Sequence, residues 1–128
     1  MNLKLNKNQI EKFSRQIILK NVDIIGQKKI IKSKVLIVGM GGLGCPAAEF
    51  LTRAGVGFLG IVDSDNVDLS NIHRQSLYDY NDLKKAKVYA AKKKLNKINP
   101  ETKINCHQIR LNKKNFIKIL KKYDFVID

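Results

Sequence analysis

The chain of 128 residues is long enough for one domain with its own hydrophobic core, and short for a complete enzyme with two substrates. No apolar run approaches the roughly 20 residues that cross a bilayer, and the polar start lacks the apolar centre of a signal peptide. The two cysteines have no metal-ligand spacing. We therefore expect a cytoplasmic protein with no membrane association.

The net charge of +14, from 25 Lys and Arg against 11 Asp and Glu, would suit a polyanionic partner such as nucleic acid. Most of this charge is lysine placed between apolar positions at helical spacing, over residues 28–34, 84–97 and 113–122. We interpret it mainly as solvated helix faces, with an acidic protein partner as the main alternative. A nucleic-acid partner is not expected.

Two helical segments are predicted at the start of the chain. Residues 8–20 place Ile10, Phe13 and Ile17 near one helical stripe, with Asn8 available as an N-cap. Residues 23–32 form a second segment, in which Gly26 argues against an uninterrupted helix. These segments predict an N-terminal helical region over residues 1–34, ahead of a domain over residues 35–128.

The stretch VLIVGMGGLG, residues 35–44, is the strongest local signal in the sequence. Its apolar start predicts a buried strand, and the spacing of Gly39, Gly41 and Gly44 fits the dinucleotide fingerprint. In that fingerprint the second glycine lets a pyrophosphate approach the backbone. The helix that follows has Pro46 in its first turn and a stop at Gly55.

The rest of the chain alternates strands with helices. A second strand runs to Asp63, near the distance of about 20 residues at which an acidic group binds ribose hydroxyls. A polar connection over residues 66–80 is followed by a helix at 82–98, a strand at 103–109, a helix at 113–122 and a strand at 124–127. This order predicts an α/β fold: a Rossmann-like parallel sheet with helices on both faces, truncated after the fourth strand.

Four stretches, FSRQIIL, VLIVGMGGLGCPAAEFL, GIVDSDNVDLSNIHRQSL and the KAK segment around Lys87, resemble the ThiF/MoeB/HesA family of ubiquitin-activating-enzyme-like adenylyltransferases. The resemblance runs over essentially the whole chain in the family's order. It implies that residues 35–128 bind ATP with Mg²⁺. It also implies that the substrate is the C-terminal Gly-Gly carboxylate of a ubiquitin-like sulfur-carrier protein, similar to ThiS or MoaD, which becomes an acyl adenylate with release of pyrophosphate.

The resemblance also assigns roles to residues of this chain. Arg74 and Lys87 would contact the phosphates, and Arg15 would be the arginine that one subunit of a homodimer inserts into the site of the other. Asp63 would bind ribose, and Asp65 would assist magnesium or orient the loop. The expected catalytic residues are Arg15, Arg74 and Lys87, and the expected nucleotide-binding residues are Gly39, Gly41, Gly42, Gly44, Asp63, Asp65, Ser70, Asn71, Arg74 and Lys87. No metal-ligating residue is predicted.

Each of these roles has a structural alternative. Arg15 could lie along an amphipathic helix without touching a ligand, and Lys87 is one lysine among many. His73 is interpreted as a loop residue, because an already ionised carboxylate needs no general base. Cys45 could have a lowered pKa at a helix N-terminus, but we interpret it, and Cys106, as structural.

The sequence also departs from the family pattern. Complete members continue past the last strand with an Asp-Asn pair and with paired Cys-x-x-Cys motifs for zinc, so this chain corresponds to the N-terminal half, and structural Zn²⁺ is expected only in the other half. Two alternatives of related fold remain: a transfer-RNA-modifying adenylating dehydratase, and a catalytically inactive nucleotide-binding or dimerisation fragment. An NAD-dependent dehydrogenase ranks below both, because SNIHRQ has no assigned purpose there.

Overall fold

The computed structural model describes residues 2–128 and contains a four-stranded parallel sheet with strand order β3-β2-β1-β4. The strands are β1 (Lys34–Val38), β2 (Phe58–Val62), β3 (Lys103–His107) and β4 (Phe125–Ile127). The helices are α1 (Lys7–Lys12), α2 (Ser14–Ile17), α3 (Asp23–Lys32), α4 (Gly44–Ala54), α5 (Lys87–Ile98) and α6 (Lys113–Leu120). Two short 3₁₀ turns, Leu69–Asn71 and Tyr80–Asp82, lie in the connection between β2 and α5.

The parallel register brings the carboxyl ends of all four strands to one edge of the sheet. Ile37 of β1 pairs with Ile61 of β2 on one side and with Ile127 of β4 on the other. Strand β4 is at the outer edge, and Phe125 is 60% exposed there. The predicted α/β class and the parallel sheet are confirmed.

Helices cover both faces of the sheet, as predicted. Because successive side chains of a strand point to opposite faces, Val35 and Ile37 join the core formed with α4 and α5, and Leu36 joins a second cluster formed with Ile119 of α6. Gly60 of β2 makes room on the α6 face: a Cβ atom there would overlap the ring of Tyr123. The alternating apolar residues of the strands therefore pack into two hydrophobic clusters, one on each face of the sheet.

The N-terminal helix predicted at 8–20 is instead two short helices that meet at Phe13. Phe13 is buried, and its ring packs so closely on Gly55 that a side chain at that glycine would clash. The N-cap of α1 is Asn6, not Asn8, and it forms a capping box with Gln9. The chain bends at Phe13 because the Phe13 ring is buried, whereas other apolar side chains of this segment, such as Ile10, remain exposed.

Other boundaries differ in ways that bear on the site. Helix α3 runs unbroken through Gly26, and β3 ends at His107, two residues before the predicted end. Helix α5 begins at Lys87, not at residue 82, because residues before it form a ladder with the loop after β2: the N–H of Lys84, at a φ of +66°, donates to the carbonyl of Val67 at 2.8 Å. Within residues 2–128, no helix has the length and apolar character needed to cross a membrane.

Candidate functional site

The glycine loop between β1 and α4 forms the floor of the candidate site. Gly39 has a φ of +89° and donates its N–H to the carbonyl of Val62 at 2.8 Å. A Cβ atom on Gly44 would overlap the carbonyl oxygen of Gly39, so the close turn into α4 requires glycine there. Gly42 is exposed, and the backbone of the loop is therefore accessible at the positive end of the α4 dipole.

Asp63, at the end of β2, ties the two central strands together. One carboxylate oxygen accepts the N–H of Met40 and the other accepts the N–H of Asp65, both at 2.8 Å. A carboxylate has about four acceptor positions, so two bonds leave capacity for hydroxyl donors such as those of a ribose. The side chain of Asp65 is exposed, while its backbone carbonyl accepts the N–H of Lys87 at 3.0 Å.

The 3₁₀ turn after β2 uses most of its own acceptor groups. Asp68 accepts both the N–H and the hydroxyl of Ser70, at 2.9 and 2.7 Å, and these bonds hold the pKa of the Asp68 carboxyl below its usual range. The side-chain oxygen of Asn71 accepts the N–H of Asp68 at 2.8 Å. Ser70 and Asn71 thus shape the loop, and the amide nitrogen of Asn71 is the group of this turn that suits an anionic ligand.

Two consecutive residues lie over two consecutive glycines of the loop. The stem of Arg74 covers Gly42, where a Cβ atom would be 3.7 Å from Cδ of the arginine, and its Nη1 donates to the carbonyl of Ser70 at 2.9 Å. Gln75 covers Gly41, where a Cβ atom would be 3.6 Å from Nε2 of the glutamine. No local sequence signal singles out Gln75, because nothing nearby in the sequence distinguishes a buried loop glutamine from an exposed one.

Lys87 is buried, at 6% exposure, and it is the first residue of α5. None of the ion pairs formed by residues 2–128 includes it. Its backbone N–H bond to the carbonyl of Asp65 ties the start of α5 to the loop after β2. A buried cation at the positive end of a helix dipole is unfavourable by itself, and an anion bound nearby would offset that cost.

A further wall of the cleft comes from the residues after β3, the first two of which belong to the predicted strand at 103–109 but lie outside β3. Ile109, Arg110 and Leu111 face Gly39 and Asp63 across a cleft of about 180 Å³. The carbonyl of Arg110 accepts a bond from the side chain of Asn115 at 3.0 Å, which ties this segment to α6. Because β3 ends at His107, these residues are able to turn across the carboxyl edge of the sheet.

Arg15 is not brought to the other candidate residues. It is exposed on α2, whose Gln16 donates to the carbonyl of Ala54 at 2.7 Å, at the carboxyl end of α4. The glycine loop is at the opposite end of α4, about 15 Å away at 1.5 Å per residue. Within one chain, Arg15 therefore lies outside the cleft.

The cysteines and the exposed His73 show no catalytic arrangement. Burial raises the pKa of the Cys45 thiol, which contacts Tyr78. The pKa of Tyr78 is also raised, mainly by burial, and its hydroxyl donates to the carbonyl of Met40 at 2.7 Å. Burial likewise raises the pKa of Cys106. Residues 2–128 contain no group of three or more His, Cys, Asp or Glu side chains placed to hold a metal ion.

Comparison with known proteins identifies relatives over nearly the whole chain. The ThiF family profile matches residues 13–128. The adenylyltransferase and sulfurtransferase MOCS3 of Drosophila willistoni is 46% identical over 124 residues, which are 97% of this chain and 27% of that protein. The chain thus spans much less than the full length of this curated relative.

Solved structures share the fold. A crystal structure of PaaA superimposes with a TM-score of 0.90 at 30% identity, over 98% of this chain and 42% of the PaaA chain. The transfer-RNA N6-threonylcarbamoyladenosine dehydratase TcdA of E. coli, solved in complex with ATP, gives a TM-score of 0.90 at 24% identity, over 98% of this chain and 51% of TcdA. The likeness to TcdA shows the fold alone.

Proposed function

This chain belongs to the ThiF family, and from that premise we propose that it forms the ATP-binding part of an enzyme that adenylylates the C-terminal Gly-Gly carboxylate of a ubiquitin-like sulfur-carrier protein. The name of the MOCS3 relative, an adenylyltransferase and sulfurtransferase, supports this reaction class. The chain covers 27% of that relative, so the adenylylation reaction is proposed for a whole enzyme of which this chain forms the ATP-binding part.

The observation that carries the proposal is a pair of cations, one over the glycine loop and one at the start of α5. Arg74 lies over Gly42, and Lys87 is buried with no carboxylate partner among residues 2–128. Cations beside an accessible loop backbone are the groups that bind and stabilise phosphates. A dehydrogenase that binds NAD has less need of two cations here, so the geometry favours a nucleotide with a reacting phosphate chain.

In the proposed reaction, a carboxylate oxygen of the carrier attacks the α-phosphorus of ATP. The bond from that phosphorus to the bridging oxygen breaks, and pyrophosphate leaves with the electron pair. The carboxylate is already ionised near neutral pH, so no proton is removed from it. Arg74 and Lys87 stabilise the charge that moves onto the leaving group, while Asp63 holds the ribose and the apolar side chains of Ile109 and Leu111 flank the adenine.

Magnesium would arrive with the nucleotide. Mg²⁺ is commonly held by phosphate oxygens with one or two carboxylates, and the exposed Asp65, beside the cleft, suits this limited role. Its function when bound would be to neutralise phosphate charge. We propose no zinc site within residues 2–128.

We further propose that the enzyme works as a cytoplasmic homodimer. The exposed Arg15 lies outside the cleft of its own chain, so it would serve the site of a second subunit, as the family resemblance implies. Exposed Ile18 and Leu19 follow it on the same N-terminal segment and would be covered in such a dimer. The two unpaired cysteines, Cys45 and Cys106, agree with a reducing compartment.

The direct test measures ATP binding and then ATP–pyrophosphate exchange. We expect the chain to bind ATP, and exchange to require a carrier that ends in Gly-Gly, with a carrier lacking the last two residues as the control. If the chain binds ATP but catalyses no exchange while a longer gene product does, this chain is an inactive nucleotide-binding fragment by itself. Absence of ATP binding would contradict the proposal.

The alternative function is adenylation of a modified base in transfer RNA. The net charge of +14 favours it, since a polyanion would be attracted at long range. Two results together would establish this alternative. The affinity for transfer RNA would fall on the order of a thousandfold between 50 and 200 mM salt, as for many phosphate contacts, and ATP–pyrophosphate exchange would not depend on the carrier protein.

A further inference from the structure

Gln75 is a buried polar residue whose bonds are incomplete. Its exposure is 4%, and its side-chain oxygen Oε1 has no hydrogen-bond partner among residues 2–128. Leaving a buried acceptor without a partner is unfavourable, and native structures rarely keep such a group without a reason. The arrangement of Gln75 therefore needs an explanation beyond packing.

The other end of the same carboxamide is directed at the glycine loop. Its Nε2 is the atom nearest to a Cβ built on Gly41, at 3.6 Å. Gly41 occupies the position of the fingerprint at which a pyrophosphate approaches the backbone. The donor end of the amide thus lies where phosphate oxygens are expected, and the acceptor end is turned into the protein.

The backbone around Gln75 is fixed on both sides. Its N–H donates to the carbonyl of Asn71 at 2.9 Å, and its carbonyl accepts the N–H of Tyr78 at 3.2 Å. The hydroxyl of Tyr78 in turn donates to the carbonyl of Met40, the residue before Gly41, at 2.7 Å. These bonds hold the segment against the loop, so the carboxamide of Gln75 stays close to Gly41.

We propose that Gln75 is a further phosphate-binding residue, whose amide nitrogen donates to a phosphate oxygen of ATP over Gly41. It would act beside Arg74, which covers the next glycine, so that one dipeptide supplies a neutral donor and a charged one. The inference rests on the proposed function, since it requires that the loop bind a nucleotide phosphate chain. The unpaired Oε1 is then the cost of directing the donor outward.

The test compares the binding of ATP and of adenosine to the full chain by titration calorimetry. Gln75→Met keeps the length and the burial but removes the donor, and we expect the dissociation constant for ATP to rise about 10- to 150-fold, the range for a bond to a charged group. Adenosine, which has no phosphate, should bind as to the wild type. Gln75→Glu should weaken ATP binding further, with partial recovery as the pH falls and the carboxyl protonates.

The matched control is Thr52→Val, which removes the second buried side-chain oxygen that lacks a partner among residues 2–128. Thr52 is eight residues after Gly44 on α4, about 12 Å along the helix, so its replacement should leave both ligands unaffected. If Gln75→Met fails to fold, Gln75→Asn keeps the amide but shortens its reach, and the same selective loss of ATP affinity is expected.

The outcomes separate this inference from the proposed function. Equal loss of ATP and adenosine affinity in a folded Gln75→Met protein would assign Gln75 a structural role, and unchanged ATP affinity would also overturn the inference. Neither result would contradict the proposed function. A wild-type chain that binds no ATP would overturn the proposed function and the inference with it.

Discussion

Replacing Lys87 with methionine should weaken ATP binding while leaving the fold at least as stable. Lys87 is 6% exposed, has no carboxylate partner among the described residues and begins α5. A positive charge at a helix N-terminus costs about 0.3–1 kcal/mol, so its removal should leave the free energy of unfolding unchanged or raise it by that amount. Methionine keeps most of the apolar contacts of the lysine stem.

The effect on binding should have the opposite sign. At about 4 Å, unit charges at an effective dielectric constant of 20 attract by about 4 kcal/mol. Hydration of the free ions offsets part of this, and bonds to charged groups typically contribute about 1.5–3 kcal/mol net. The dissociation constant for ATP should therefore rise about 10- to 150-fold.

The assay pairs urea denaturation with titration of ATP, and its control is Lys93→Met. Lys93 is exposed on the same helix, so the control removes the same net charge without touching the cleft. We expect the control to bind ATP within about twofold of the wild type, because an exposed charge interacts weakly in water. A folded Lys87→Met protein that binds ATP as tightly as the wild type would refute the phosphate role.

Two further predictions concern the α6 face of the sheet. Gly60→Ala should lower the free energy of unfolding by about 1–3 kcal/mol, the usual effect of overpacking, because a Cβ atom there overlaps the ring of Tyr123. In urea denaturation, most of this loss should disappear when Tyr123→Leu is also present. Equal losses with and without Tyr123→Leu would contradict the packing argument. Desolvation, and secondly the charge of Lys122, lower the pKa of His107. Between pH 7.5 and 5.5 the unfolded state therefore binds more protons than the native state, and the free energy of unfolding should fall as the pH drops through this range. His107→Gln should flatten this pH dependence, and an identical slope in the variant would exclude His107 as its source.

The sequence was sufficient to predict two features: membership of the ThiF/MoeB/HesA family, from four stretches that resemble it, and a parallel sheet with helices on both faces. The family profile over residues 13–128 and the strand pairings confirm them. Strand and helix periodicities are local properties of the sequence, and the glycines of the loop are required by backbone geometry that few other residues adopt. For the site residues, including Arg15, the assigned roles stay predictions.

The course of the chain between the regular elements was less predictable. The first helix is broken at Phe13, because one buried ring packs on Gly55, far along the sequence. Helix α5 starts at Lys87 because the preceding residues pair with the loop at Val67. Both boundaries depend on contacts between distant residues, which no local pattern specifies.

By itself, the sequence determined the chemistry available to this protein: a glycine loop, an acidic residue after the second strand, and basic residues in recognisable motifs. Only the tertiary structure decided which of these groups meet. It buries Lys87 with no ionic partner in the described part of the chain, turns residues 109–111 across the cleft and places Gln75 over Gly41. The physical reason is that burial and mutual distance depend on how separate segments pack, whereas residue type and local periodicity fix only what each segment contributes.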